Sequence, residues 1–211
     1  MDALIVVDYQ NDFVDGALGF AEAARLAPVI AQKMVDYHKR GQRIIQTFDV
    51  HAPNYLETRE GKFLPVEHCI LDANAEFDAM SSGGIGMSRL LQEAANAIED
   101  DADYGSIVTE CVTKNTFGSI DLANAFHASV FDDVEIAQRL QYEHIELCGV
   151  VSYLCVLSNA VLLRAVQPEA DIRVDVQAVA GPDEKLHQEA LDIMRAMGFT
   201  VYDSEEDMTV I

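Results

Sequence analysis

Short β-branched and aliphatic runs alternate along this chain with longer stretches whose apolar positions recur at helical spacing. The runs at 3–7, 43–48, 106–109, 145–151, 172–179 and 199–202 predict six strands, those at 3–7 and 145–151 buried. Helical spacing predicts helices over 21–40, ending at Gly41, and over 87–98, 120–126, 134–141, 153–165 and 183–197. Residues 49–86 lack sustained periodicity and carry Gly and Pro, a long excursion of the kind that carries function. Strand and helix alternate throughout. The expected fold class is therefore α/β: a three-layer, doubly wound, mostly parallel six-stranded sheet, Rossmann-like in plan. No repeat, low-complexity segment or linker interrupts the pattern, so residues 1–211 read as one domain.

Composition narrows the class of function. Half of the 211 residues are hydrophobic, enough for a full core. Lys and Arg number 14 against 36 Asp and Glu, a net charge of −22 that repels nucleic acid and anionic membrane. The longest apolar stretch, 153–163, is broken by Ser158 and Asn159 and falls short of the ~20 residues a bilayer needs. The first residues lack the basic region of a signal peptide. Cys69, Cys111, Cys148 and Cys155 form no C-x-x-C pair, and the expectation is a cytosolic protein with reduced thiols.

In sheets of this kind sites form beyond the C-terminal strand ends. Asp8 follows the first strand, Asp49 and His51 the second, and Lys114 comes shortly after the third. The fourth runs into Gly149-Val150-Val151, after which Cys155 sits in the first turn of a helical stretch. Free N–H groups and the helix dipole there favour thiolate and can hold an oxyanion. A buried Asp8 could take the thiol proton and return it to a leaving amine, with Lys114 keeping the carboxylate ionised. Such a trio suits attack on an amide through a thioester. Taken singly, Asp8 reads as a cap, Lys114 as a solvated surface residue and a cysteine as core packing; Cys69, Cys111 and Cys148 keep that last reading. In Asp49-Val50-His51 alternate residues face one side, and Glu57, Glu60 and His68 follow. Mixed nitrogen and oxygen ligands fit Zn²⁺, Mn²⁺ or Fe²⁺ rather than a thiolate zinc site. His38, His127, His144 and His187 read as structural or surface residues.

Five segments, in this order, carry a resemblance: Leu4-Ile5-Val6-Val7-Asp8-Tyr9-Gln10-Asn11-Asp12-Phe13, Thr47-Phe48-Asp49-Val50-His51, Leu64-Pro65-Val66-Glu67-His68-Cys69, Thr113-Lys114-Asn115-Thr116-Phe117 and Gly149-Val150-Val151-Ser152-Tyr153-Leu154-Cys155. Over nearly its whole length the chain resembles the isochorismatase-like cysteine hydrolases, and within them the nicotinamidases. The resemblance implies that fold, with Asp8, Lys114 and Cys155 as catalytic triad. It implies a cis Val150–Val151 peptide, and the N–H groups of Val151 and Cys155 as oxyanion hole. Asp49, His51 and His68 match metal ligands, with Glu60 taken as the fourth and Glu57 as its alternative. The metal would be divalent, zinc first, with manganese or iron as the other options. Phe13, Leu64 and Phe117 would border the substrate. Leu64 stands where many nicotinamidases have an aromatic, and the chain has no Trp.

The implied activity is hydrolysis of a small carboxamide to carboxylate and ammonia, nicotinamide first, through an acyl-cysteine. Another small amide, such as a ureido or carbamoyl compound, is the nearest alternative, and a non-enzymatic binding module on the same scaffold is a second. The expected partner is a small-molecule amide, with no nucleic acid or membrane, in a cytoplasmic homo-oligomer.

Overall fold

Along the first strand, β1 (Asp2–Val7), Leu4 and Val6 enter one core while Ala3, Ile5 and Val7 enter another. Alternate side chains of a strand point to opposite faces, so a strand apolar at five successive positions must be covered on both sides. That is the arrangement in this computed structural model, which describes residues 1–72, 74, 76, 83–98, 105, 107–127 and 141–203. Beside β1 stand β2 (Arg43–Asp49), β3 (Glu110–Lys114), β4 (His144–Val150), β5 (Asp171–Ala180) and β6 (Thr200–Tyr202). They form one six-stranded sheet in the order β3-β2-β1-β4-β5-β6, and every pairing is parallel.

Among the described residues, helices cover both sides of the sheet. Short α1 (Asn11–Val14) follows β1 directly. On the first face lie α2 (Ala21–Arg25), α3 (Ala27–Lys39) and, past the short α4 (Arg59–Phe63), α5 (Arg89–Ile98). On the second lie α6 (Ile120–Phe126), α7 (Leu157–Val166) and α8 (Glu184–Ala196). The chain winds outward through β1, β2 and β3, then returns to place β4 beside β1. The reversal opens a crevice between the C-terminal ends of β1 and β4, where ligands bind in open α/β sheets. Among the described residues no helix is long and apolar enough to cross a membrane.

Three expected elements differ. The helix expected over 21–40 is two helices, because Pro28 has no N–H to continue a ladder and fits only the first turn of α3. Residues 107–109 hold no strand; β3 begins at Glu110. Its residues are largely exposed because it is an edge strand, and a polar edge does not show the apolar run of a core strand. The stretch expected as one helix from 153 opens with a π turn, Ser152–Val156, before α7. The helix expected over 134–141 lies outside the described residues, save residue 141, which is not helical.

Candidate active site

Asp8 leaves the end of β1 with φ +48°, a left-handed conformation that Asp adopts more readily than most residues. Its carboxylate turns into the sheet rim and is fully buried. Thr47 Oγ donates to Asp8 Oδ1 at 2.7 Å and accepts from the Asp8 N–H at 3.1 Å. Parallel pairing of β2 with β3 sets Lys114 beside Asp49. From there Lys114 Nζ reaches Asp8 Oδ2 at 2.7 Å and Asp49 Oδ1 at 3.4 Å, and donates to Cys155 Sγ at 3.8 Å. Asp8, Lys114 and Cys155 therefore meet in one place, and Lys114 also links them to Asp49.

The electrostatics follow from burial. It pushes the Cys155 thiol well above its ordinary pKa; Lys114 opposes this, while Asp8 and Asp49 reinforce it. The helix start, expected to favour thiolate, is opposed here by desolvation of the sulfur. Burial also raises Asp8, against the pull of Lys114, with Asp49 adding to the rise. A hydrogen bond between Asp8 and Cys155 lowers the first and raises the second. Burial would depress Lys114, but Asp8, Cys155 and Asp49 hold it above its ordinary value, so it is a cation.

The turn carrying Cys155 is held at both ends. Gly149, at φ +111°, passes so close to the Val7 backbone that a Cβ would strike the Val7 carbonyl. The Val150–Val151 peptide is cis. The Leu154 and Val156 N–H groups both donate to the Val151 carbonyl at 3.1 Å. Asn159, one helical turn on, donates to the Cys155 carbonyl at 2.8 Å and the Phe117 carbonyl at 3.2 Å, and accepts from the Ser119 N–H at 2.9 Å.

A second group adjoins the trio. Asp49, His51, Glu60 and His68 each turn one ligand atom to a common point, all within 4.8 Å of one another. His51 Nε2 lies 3.0 Å and His68 Nε2 3.5 Å from Asp49 Oδ2, and Glu60 Oε1 lies 3.7 Å from His51 Nε2. His68 Nδ1 bonds the Val66 carbonyl at 2.8 Å, which requires its proton there and leaves the Nε2 lone pair free. Asp49 Oδ1 and Glu60 Oε1 are buried without a hydrogen-bond partner, beyond the ion-pair approaches of Lys114 and His51. Two imidazoles and two carboxylates, with unsatisfied oxygens facing inward, fit a divalent cation such as zinc. Burial raises Asp49, but Lys114, His51 and His68 outweigh it and hold the carboxyl below its usual range. Burial and Asp49 raise Glu60; burial lowers His68, but Asp49 more than reverses that.

Local sequence explains the choice of glutamate. Thr58 caps α4 by accepting from the Gly61 N–H at 3.0 Å, which puts Glu60 in the first turn. A Cβ on Gly61 would strike the Tyr55 carbonyl, so only glycine lets α4 pack this closely. Glu57, in the preceding 3-10 turn (Tyr55–Glu57), is exposed and stays outside the group.

Sequence reasoning missed several supports. Gln10 brackets the Asp49 backbone, accepting from its N–H at 2.7 Å and donating to its carbonyl at 2.9 Å. Asp12 accepts from the Cys69 N–H at 2.7 Å beside His68. Tyr55 packs its ring 4.5 Å from His51 and 4.9 Å from His68. Gln10 and Asp12 lie in the segment that carries the resemblance, and Asn159 is a polar break in an apolar helix; these were the available signals.

A cavity of about 830 Å³ opens from His51 and Glu60, walled by Tyr55, Phe63 and Phe117 among others. Phe13 sits edge-on to His68 at 5.3 Å instead of in this wall. Leu64 is not in the wall either: it ends α4, and its carbonyl accepts from the Tyr55 hydroxyl at 3.1 Å while Phe63 takes the exposed position.

Residues 103–206 match the family model of the isochorismatase domain, a span that contains Lys114 and Cys155 but not Asp8 or the histidine group. No curated protein matches the sequence. Solved structures do. A pyrazinamidase of Pyrococcus horikoshii in complex with zinc is 21% identical, with TM-score 0.68, 96% of this chain and 99% of that one being covered. A pyrazinamidase/nicotinamidase from Streptococcus mutans is 23% identical, with TM-score 0.69 and coverage of 96% and 100%. A nicotinamidase/pyrazinamidase from Bacillus subtilis is 20% identical, with TM-score 0.71 and coverage of 96% and 99%. Residues 103–206 are thus similar to an isochorismatase domain, and the chain has the fold of these solved structures.

Proposed function

We propose that this protein is a cysteine amidohydrolase that converts a small carboxamide to carboxylate and ammonia, with nicotinamide as its substrate. The observation that supports this best is the buried trio in which Lys114 lies 2.7 Å from Asp8 and 3.8 Å from the Cys155 sulfur. The adjoining His51, His68, Asp49 and Glu60 add a second requirement that nicotinamide meets, a ring nitrogen with a lone pair. A divalent metal held by these four would supply a Lewis acid that orients the ring or a water.

The thiol is protonated at rest, so attack begins with proton transfer from Cys155 to Asp8, whose raised pKa suits a group that both takes and returns a proton. The sulfur adds to the carboxamide carbon, and the Val151 and Cys155 N–H groups stabilise the oxyanion. Collapse breaks the C–N bond as Asp8 protonates the leaving ammonia, giving a thioester. Water, losing its proton to Asp8, then attacks the thioester; carboxylate leaves and the thiol is restored. Lys114 stays charged throughout and offsets the negative charge beside it.

The test is ammonia release from nicotinamide and a panel of small amides, with metal supplied or chelated, alongside intact-mass trapping of the acyl-enzyme. Release from nicotinamide with a nicotinoyl adduct on Cys155 is expected. Turnover of a ureido or carbamoyl compound alone would keep the mechanism and change the substrate. No turnover and no adduct with any amide would leave a binding module.

A further inference from the structure

We propose that His187 is a positioning residue for the turn that carries Cys155, acting through Ser152. This rests on the amidohydrolase reading above. Ser152 is fully buried, follows Val151 directly and opens the π turn that ends just past Cys155. Its hydroxyl meets His187 Nδ1 at 2.9 Å. His187 lies in the first turns of α8, whose start is fixed by Asp183: the side chain accepts from the Leu186 N–H at 3.0 Å and the carbonyl from the His187 N–H at 2.9 Å. The imidazole therefore projects from an anchored helix.

The chain entering α8 also presses on the turn. A Cβ on Gly181 would lie 2.9 Å from the Ser152 hydroxyl and 2.6 Å from the Tyr153 ring, so a larger residue there would have to push these side chains aside. Asn159 holds the far end of the same turn through the Cys155 carbonyl. The Cys155 N–H lies between these two anchors and the Val151 N–H just before the first, and their spacing must hold to a fraction of an ångström for an oxyanion hole to work. His187 is not in the wall of the large cavity; it borders a separate one of about 220 Å³, beside Arg25 and Glu184. What it touches is the turn, through the Ser152 hydroxyl. Burial lowers its pKa, leaving a neutral ring at neutral pH, with one nitrogen to accept and one to donate.

A purely structural pair makes a different forecast. Replacing both partners of a buried hydrogen bond by apolar groups is close to neutral for stability. The experiment compares His187→Leu, His187→Asn, Ser152→Ala and the Ser152→Ala/His187→Leu double variant. Each is assayed for kcat and KM, for melting temperature, and for the rate of Cys155 alkylation by iodoacetamide, resolved by peptide mass. We expect His187→Leu and the double variant to lose about tenfold in kcat, the worth of one hydrogen bond, with KM little changed. Alkylation of Cys155 should slow in parallel. His187→Asn, which can set an amide near the Nδ1 position, should recover most of both. Parental kcat and alkylation in the folded double variant would overturn the proposal, as would losses confined to the melting temperature. Alkylation needs no substrate, so it decides the role of His187 even if no amide is turned over.

Discussion

Two buried acids and a buried thiol share a single lysine, and that ratio governs the chemistry at the residue scale. Lys114 faces Asp8, Asp49 and the Cys155 sulfur at once, and burial with the two carboxylates raises the thiol pKa against its pull. Cys155→Ala is expected to reduce amide hydrolysis to background while costing about 1 kcal/mol of stability for the small void, read by ammonia release and by urea unfolding. Thr47→Val removes the 2.7 Å bond that orients Asp8 without touching the substrate. It should lower kcat about tenfold and leave KM nearly unchanged in steady-state kinetics. Among the acids of the excursion, Glu60→Gln should weaken metal binding at least about tenfold by titration, and Glu57→Gln should leave it unchanged.

At the scale of elements, function depends on how β4 passes into the π turn. Pairing between β4 and β5 shifts register between Leu147 and Gly149, and Gly149 lies against the end of β1, the strand that delivers Asp8. One contact thus sets both sides of the crevice. Gly149→Ala would force a side chain into the Val7 backbone at a positive φ. The expected cost is about 2–3 kcal/mol in chemical denaturation, with a larger fractional loss of activity than of folded protein. The α4 segment shows the same logic: its cap at Thr58 and its glycine at 61 are backbone devices that serve to aim Glu60.

Across the whole molecule, a second buried charge network lies on the first helical face. Lys33 pairs with Glu146 and with Asp175, each at 2.7 Å, while Tyr37 and Tyr202 donate to Glu146 at 2.9 and 2.6 Å. It joins α3 to β4, β5 and β6, the strands on the return side of the sheet. Lys33→Met leaves two carboxylates without their cation and should destabilise the fold by about 3 kcal/mol. Burial would lower the Lys33 pKa, but Glu146 and Asp175 hold it above its ordinary 10.5. A raised folded pKa means that this contribution is complete below the unfolded value and is lost only as pH rises through the folded one. The deficit of the variant, measured by urea unfolding, should therefore stay flat from about pH 6 to 9.

Periodicity alone determined the strands β1, β2, β4, β5 and β6 and most helices, because burial on a sheet face or helix stripe is written into residue spacing. The order of the short segments around Asp8, Asp49, Lys114 and Cys155 also pointed to the rim where they meet, since a parallel sheet brings successive strand ends together. Other features needed contacts between distant parts of the chain. The edge position of β3 hid it, because most of its residues face solvent and only Val112 and Cys111 interrupt a polar sequence. Glu60 and Glu57 are alike in sequence; a capping hydrogen bond and one close approach to Tyr55 decided which enters the histidine group. The desolvation that raises the Cys155 pKa was not legible either, since a helix start acts within one turn whereas desolvation sums over every element packed around the sulfur. The contact of His187 with Ser152 was not legible for the same reason: the two are 35 residues apart in sequence and adjacent only once α8 has packed against the turn.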